Sequence, residues 1–255
     1  MKKITIQDII NFKGGPSFAT ITAYDQTSAK VAEAAGIPLI LVGDSASMTM
    51  YGYDTTLPVD MEEMLLVVRA VVRSVKQPLV VADMPFLSYQ TSIDDTIKNA
   101  GRFIKEGGAG AVKLEGGNNI KTHIKTLVDF GIPVLGHVGL TPQSFHQLSG
   151  YKMQGKSKAD ADKIMGDALV VQEAGAFGVV LECIPDELAK KITQSLDIPT
   201  IGIGAGMGCD GQIQVFHDLL GLSDTPAPKH AMQYESLYGR MLKGVRAYMD
   251  DIKKG

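Results

Sequence analysis

Short apolar runs rich in β-branched residues recur along the chain, all but the last followed by a stretch with helical spacing. The runs are Phe18 to Tyr24, Ile37 to Gly43, Pro78 to Asp83, Ala109 to Glu115, Ile132 to His137, Ala176 to Glu182 and Ile198 to Gly204. They are continuous rather than alternating, which predicts strands buried on both faces, as in a parallel sheet. Between them, Gln26 to Ala35, Met61 to Lys76, Ile93 to Glu106, Asn118 to Phe130, Lys158 to Ala174 and Asp186 to Ser195 place apolar residues at i, i+3 and i+4. That spacing predicts helices with one face against the sheet. Several end on a glycine that leads directly into the next strand, as in Phe130-Gly131-Ile132, because glycine accepts the left-handed conformation that closes a helix.

An unbroken βα alternation implies right-handed crossovers and either an open doubly wound sheet or a closed barrel. Gly211 to His217 offers an eighth strand, and 255 residues is the length of one (βα)8 barrel. The chain therefore reads as a single α/β barrel domain over residues 1–255. A short helix is expected near the N-terminus, a loop from Leu219 to Pro228 and a last amphipathic helix from Tyr234 to Lys253.

Composition narrows the function classes. With 25 basic and 28 acidic residues the net charge is −3, which provides no electrostatic footprint for nucleic acid. No apolar run approaches the ~18 residues of a membrane helix, so neither nucleic acid nor membrane is expected as a partner. The two cysteines, Cys183 and Cys209, are too few for a disulfide framework or a thiolate zinc site and predict a reducing cytoplasm.

The candidate chemistry sits at the strand ends: LVGD at Asp44, VVAD at Asp83, VKLE at Glu115, LGH at His137 and VVLE at Glu182. In a barrel of this kind, catalytic groups project from the C-terminal ends of several strands. A lone Asp in such a place is as often a cap of the next turn, but His and Glu are poor caps, so the set points to a site. Strand alternation puts Lys113 and Glu115 on one face, either to hold a substrate or as a structural ion pair. Oxygen-rich donors with one imidazole suit Mg²⁺. The histidines at 123, 137, 146, 217 and 230 form no HxxxH pair of the kind zinc uses.

Two connections are long, 45–59 and 138–157, and long βα loops are often lids or binding loops. Met48, Met50, Tyr51 and Tyr53 would either line a pocket or pack the loop against the rim. Gly206 to Gly211 satisfies GxGxxG, but a strand-like run follows it rather than a helix, so it reads as a turn and not as a dinucleotide loop.

In order along the chain, LVGDS, TLPV, ADMPF, VKLEGG, GHVGLTPQS, GYKMQGK, LECIP, ELAKKIT and GIGAG..CDGQ closely resemble the ketopantoate hydroxymethyltransferase family. The likeness runs from about Ile4 to Lys229. It implies a TIM barrel of the phosphoenolpyruvate/pyruvate type, a cytoplasmic Mg²⁺ enzyme of pantothenate and coenzyme A synthesis, and a homodecamer. The implied reaction moves a hydroxymethyl group from 5,10-methylenetetrahydrofolate to 3-methyl-2-oxobutanoate, giving 2-dehydropantoate through a metal-stabilised enolate.

By motif, the resemblance makes Asp44 and Asp83 metal ligands, with Glu115 completing the site directly or through water. Ser45 and Lys113 hold the oxo acid beside Asp44 and Asp83, Glu182 accepts the C3 proton, and His137 orients a neighbour or hydrogen-bonds the substrate. The folate site is not located by any motif; Tyr151 and Lys152 are candidates by loop length and position. Three other readings stay open: a carbon–carbon lyase of the same barrel, a class I aldolase with a Schiff base on Lys113, and a barrel that only binds ligands.

Overall fold

Parallel strands close on themselves in sequence order: β1 (Phe18–Thr22), β2 (Leu39–Val42), β3 (Leu79–Asp83), β4 (Ala111–Glu115), β5 (Val134–Gly139), β6 (Gly178–Glu182), β7 (Thr200–Ile203) and β8 (Gly211–Gln214). The last pairs back to the first, Phe18 opposite Gly211. This computed structural model describes residues 2–228 and 231–254; Lys229 and His230 lie outside the described residues. The helices are α1 (Ile6–Ile10), α2 (Gln26–Ala34), α3 (Ala46–Thr49), α4 (Met61–Ser74), α5 (Ile93–Lys105), α6 (Lys121–Asp129), α7 (Phe145–Leu148), α8 (Lys158–Glu173), α9 (Asp186–Ser195), α10 (Phe216–Leu220) and α11 (Leu237–Lys254).

The expected strands and helices are present, most of them trimmed where a cap takes over. Asp25, for example, accepts from the Ser28 N–H at 2.7 Å and starts α2, ending β1 before Tyr24. The expected eighth strand over Gly211 to His217 is too long. It stops at Gln214, and the Phe216 N–H donates to Thr22 Oγ1 at 3.0 Å, so that Phe216 enters α10 and the following loop begins later than Leu219. A short apolar run does not distinguish a strand from the first turn of a helix. The two long loops likewise carry the short helices α3 and α7.

Alternation along the strands sorts the core into two layers. Ile40, Val42, Val80, Ala82, Val112, Leu114, Val134, Val138, Val179 and Leu181 face outward into the helices. Leu39, Leu79, Ala111, Leu135, Ile201 and Ile213 face inward and fill the lower barrel, where Ile9 of α1, fully buried, plugs the base. Burying that one side chain contributes roughly 1.5–3 kcal/mol. A Thr5–Asp8 capping box holds α1 in place to deliver it.

The return from β7 to β8, Gly204 to Asp210, contains no helix. Gly206 (φ 73°) lies against the start of α9, where a Cβ would run into the Asp186 side chain. Asp210 ties the far end down, accepting from the Thr200 N–H (2.8 Å) and the Gly14 N–H (3.0 Å). The glycines of the GxGxxG run therefore serve close packing. Gly52 has the same φ of 73°, with nothing within 4 Å of where a Cβ would stand. Gly52→Ala should thus cost only the left-handed penalty of about 1–2 kcal/mol. Gly206→Ala should cost about 1–3 kcal/mol more through overpacking, read as a larger fall in the denaturant midpoint at constant slope.

Candidate active site

Each inward-facing column of the barrel begins apolar and ends polar. Leu79 and Val81 lead to Asp83, Ala111 leads to Lys113 and Glu115, Leu135 to His137, and Val180 to Glu182. The register sets Asp83 beside Lys113 and Glu115 beside His137. Lys113 Nζ donates to both Asp83 oxygens at 2.7 and 2.8 Å and to Glu115 Oε1 at 3.3 Å. His137 lies between two carboxylates, Nδ1 at 3.2 Å from Glu115 Oε1 and Nε2 at 3.1 Å from Glu182 Oε2. Neither ring nitrogen has linear hydrogen-bond geometry, so charge attraction holds the ring there. The Glu182 side chain is 15% exposed, whereas those of Asp83, Lys113, Glu115 and His137 are 4% or less.

Asp44 joins from β2. Its N–H donates to Asp83 Oδ2 at 3.1 Å and its own Oδ2 accepts from Gln143 Nε2 at 3.0 Å. Ser45 does not meet the acids; its hydroxyl pairs with the Tyr24 hydroxyl at 2.7 Å. The sequence-predicted set Asp44, Asp83, Lys113, Glu115, His137 and Glu182 is thus one connected cluster, with Ser45 at its edge.

The electrostatics follow from burial and neighbours. Burial and the Asp83 charge push Asp44 well above the usual carboxylate range. Burial also raises Asp83, against the pull of Lys113. Glu115 is buried too, yet Lys113 and His137 overcome this and bring it down to about 2. Burial and Lys113 disfavour a charged His137, but Glu115 and Glu182 outweigh them and lift it to about 9. The direction of that shift favours the imidazolium form.

Three uncharged partners of this cluster are not among the residues the sequence singles out, although Gln143 lies inside the motif GHVGLTPQS. Gln143, in the turn Pro142–Ser144, donates to Asp44 and to the Met84 carbonyl (2.8 Å) and accepts from the Tyr89 hydroxyl (2.9 Å), while its backbone N–H donates to Glu115 Oε2 at 3.0 Å. The Met84 carbonyl can only accept, which fixes which way the amide faces. Tyr89 and Tyr24 are buried beside it and beside Ser45. Gln143→Met keeps the volume but leaves Asp44 Oδ2 and the Met84 carbonyl without this donor. At about 1–3 kcal/mol per buried orphan, stability should drop by about 2–6 kcal/mol in a denaturant titration.

The loop after β5 is fastened at both ends beside Glu182. The Leu140 N–H donates to the Glu182 carbonyl at 2.8 Å and the Gln154 N–H to the Cys183 carbonyl at 2.9 Å, with Cys183 itself left-handed at φ 50°.

The donor chemistry can be set against Mg²⁺. Among the described residues, no three His, Cys, Asp or Glu side chains form a ready-made metal cage. Mg²⁺ does not need one, because it usually takes one or two carboxylates and fills its shell with water and substrate oxygens. Asp44, raised by burial and by the Asp83 charge, is a carboxylate whose charged form a divalent cation would stabilise. The residues fit the ion. No helix among the described residues is long and apolar enough to cross a membrane, and both cysteines carry free thiols.

Residues 3–255 match the family model described as ketopantoate hydroxymethyltransferase. The chain is 52% identical over 255 residues to the 3-methyl-2-oxobutanoate hydroxymethyltransferase of Carboxydothermus hydrogenoformans, covering 100% of this chain and 92% of the relative. It is also 52% identical to that of Syntrophotalea carbinolica, covering 100% and 96%. In fold it is similar to 2,3-dimethylmalate lyase, a member of the PEP mutase/isocitrate lyase superfamily, with TM-score 0.64 at 17% identity over 98% of this chain and 86% of that one. A phosphoenolpyruvate phosphomutase from Streptomyces platensis gives TM-score 0.66 at 14% identity over 98% and 88%.

Proposed function

Because the chain belongs to the ketopantoate hydroxymethyltransferase family, we infer that the cluster in the barrel mouth is where its chemistry takes place. The activity is that of a 3-methyl-2-oxobutanoate hydroxymethyltransferase in pantothenate biosynthesis. The finer reading is that the one-carbon donor is 5,10-methylenetetrahydrofolate, the product 2-dehydropantoate, the location cytoplasmic and the assembly a homodecamer.

The observation that carries the assignment of roles is the unequal access to the acids. Glu182 is the one member of the Glu115–His137–Glu182 row that a substrate in the mouth can reach. Glu182 takes the proton from C3 of the oxo acid. His137, protonated and anchored on Glu115, holds the Glu182 carboxylate in position and balances its charge. Asp44 and Asp83, with Glu115 through water, would hold Mg²⁺, which as a Lewis acid supplies stabilisation for negative charge on the 2-oxo oxygen. Both Glu115 oxygens already accept from protein donors, which favours the water-mediated form for that residue; those of Asp83 do too, so Asp83 would ligate the ion directly only by giving up a bond to Lys113.

Lys113 spends its ammonium on Asp83 and Glu115, so it meets the oxo acid only by releasing one of them. Those carboxylates outweigh burial and hold its pKa well above the ordinary lysine range. An amine kept protonated is a poor Schiff-base nucleophile, which weighs against the aldolase reading.

The test is exchange of the C3 proton of 3-methyl-2-oxobutanoate in D₂O with Mg²⁺ and no folate. Exchange should proceed, stop in EDTA and return with Mg²⁺. A wild-type enzyme that transfers hydroxymethyl groups but never exchanges C3 would overturn these roles.

A further inference from the structure

Large apolar side chains are exposed on both long loops at the mouth end of the barrel. Met48, Met50, Tyr51 and Tyr53 after β2, and Tyr151 and Met153 after β5, are each 37–43% exposed. The loops touch there, Tyr151 Oη lying 3.7 Å from Met48 Sδ, and the Tyr151 ring packs at 5.0 Å on Phe145. Partial burial, then the charges of Asp44 and Glu182, push Tyr151 up to about 12. Two exposed cations follow on the same loop. Lys152 adjoins Tyr151, and the charge of Lys156 reaches the thiol of Cys183, the residue after Glu182.

The reaction has two substrates, and the structure leaves them different ground. Apolar packing closes the barrel below, and the Lys113 cluster forms the floor of the mouth. With C3 of the oxo acid against Glu182, the incoming carbon must arrive from the open side, between the loops. A reduced pterin is a flat heteroaromatic bicycle, which suits tyrosine faces and methionine sulfur. Its aminobenzoyl-glutamate tail carries carboxylates. The acidic mouth repels these and the lysines attract them, which sets the direction of docking.

We propose that the one-carbon donor docks its pterin ring on Tyr151 and Met48, across the gap between the loops, with its glutamate tail toward Lys152 and Lys156. The proposal rests on Glu182 being the enolising base.

Two assays separate the two ideas: donor-free C3 exchange, and full transfer at varied methylenetetrahydrofolate. Tyr151→Ala should raise the donor KM at least tenfold more than it slows exchange, whereas Tyr151→Phe, which keeps the ring, should stay within about threefold of wild type. Lys152→Glu with Lys156→Glu should raise the KM of a triglutamyl donor more than that of the monoglutamate. Calorimetric binding of tetrahydrofolate should weaken in parallel. An unchanged donor KM and unchanged tetrahydrofolate binding in Tyr151→Ala and in the lysine pair would place the donor elsewhere. Equal losses in exchange and transfer would make Tyr151 part of the enolising site and overturn the proposal. Wild-type enzyme without exchange would instead refute the Glu182 assignment.

Discussion

Glu182→Gln should abolish exchange at C3 while leaving the fold intact. The amide retains an oxygen to face the His137 ring but cannot accept a proton at the working pH. Positioned general bases contribute typically 10²–10⁴-fold, so the exchange rate, followed by loss of the C3 proton resonance, should fall by about that factor. The side chain stands at the rim of the cluster, 15% exposed, so thermal stability should change little. The next acid along the row, Glu115, is buried behind His137 and held down to about 2 by Lys113 and His137, where it is too weak a base to substitute. Exchange at the wild-type rate in Glu182→Gln would mean that the base is another group.

Lys113→Met should have the largest effect on stability. Removing this ammonium leaves Asp83, Asp44 and Glu115 buried with only His137 to offset them. Breaking a buried pair by deleting one partner typically costs about 3–5 kcal/mol. The sign of the pH dependence follows from the direction of the shifts. Asp44 and Asp83 already titrate above their ordinary values, and losing Lys113 raises them further. A carboxylate raised on folding binds its proton more readily in the native state, so its penalty is full above the folded-state pKa and is recovered as pH falls toward the unfolded one. Denaturant titrations of Lys113→Met should show the widest gap from wild type near neutral pH and a narrower one in acid. Millimolar Mg²⁺ should stabilise the variant more than the wild type, since it offers the same acids a replacement cation. A deficit that does not vary with pH would point to lost packing of the lysine stem instead.

Much of this site can be read from one sequence because the chemistry ends its strands. Continuous apolar runs terminating in Asp83, Glu115, His137 and Glu182 identify the mouth, and the two-residue period places Lys113 with Glu115. Strand register is not written in the period, however. The short contacts of Lys113 run to Asp83 on the neighbouring strand, a consequence of Asp83 pairing with Lys113. Gln143 lies inside GHVGLTPQS, but its role is hidden for another reason. It is uncharged, lies in a loop, and reaches Asp44, 99 positions away, so neither composition nor local spacing reports it. The eighth strand reads too long because no local signal marks where β8 gives way to α10, a boundary set by a hydrogen bond to Thr22 near the other end of the chain.

The fastening of the loop after β5 has a mechanical consequence. Leu140 and Gln154 both hang from consecutive carbonyls, those of Glu182 and Cys183, and Gln143 between them is bonded to Asp44 and Glu115, so the loop is clamped to the frame that carries the base. A change that loosens this loop therefore disturbs, together, the aim of the carboxylate at its mount and the acids that Gln143 holds.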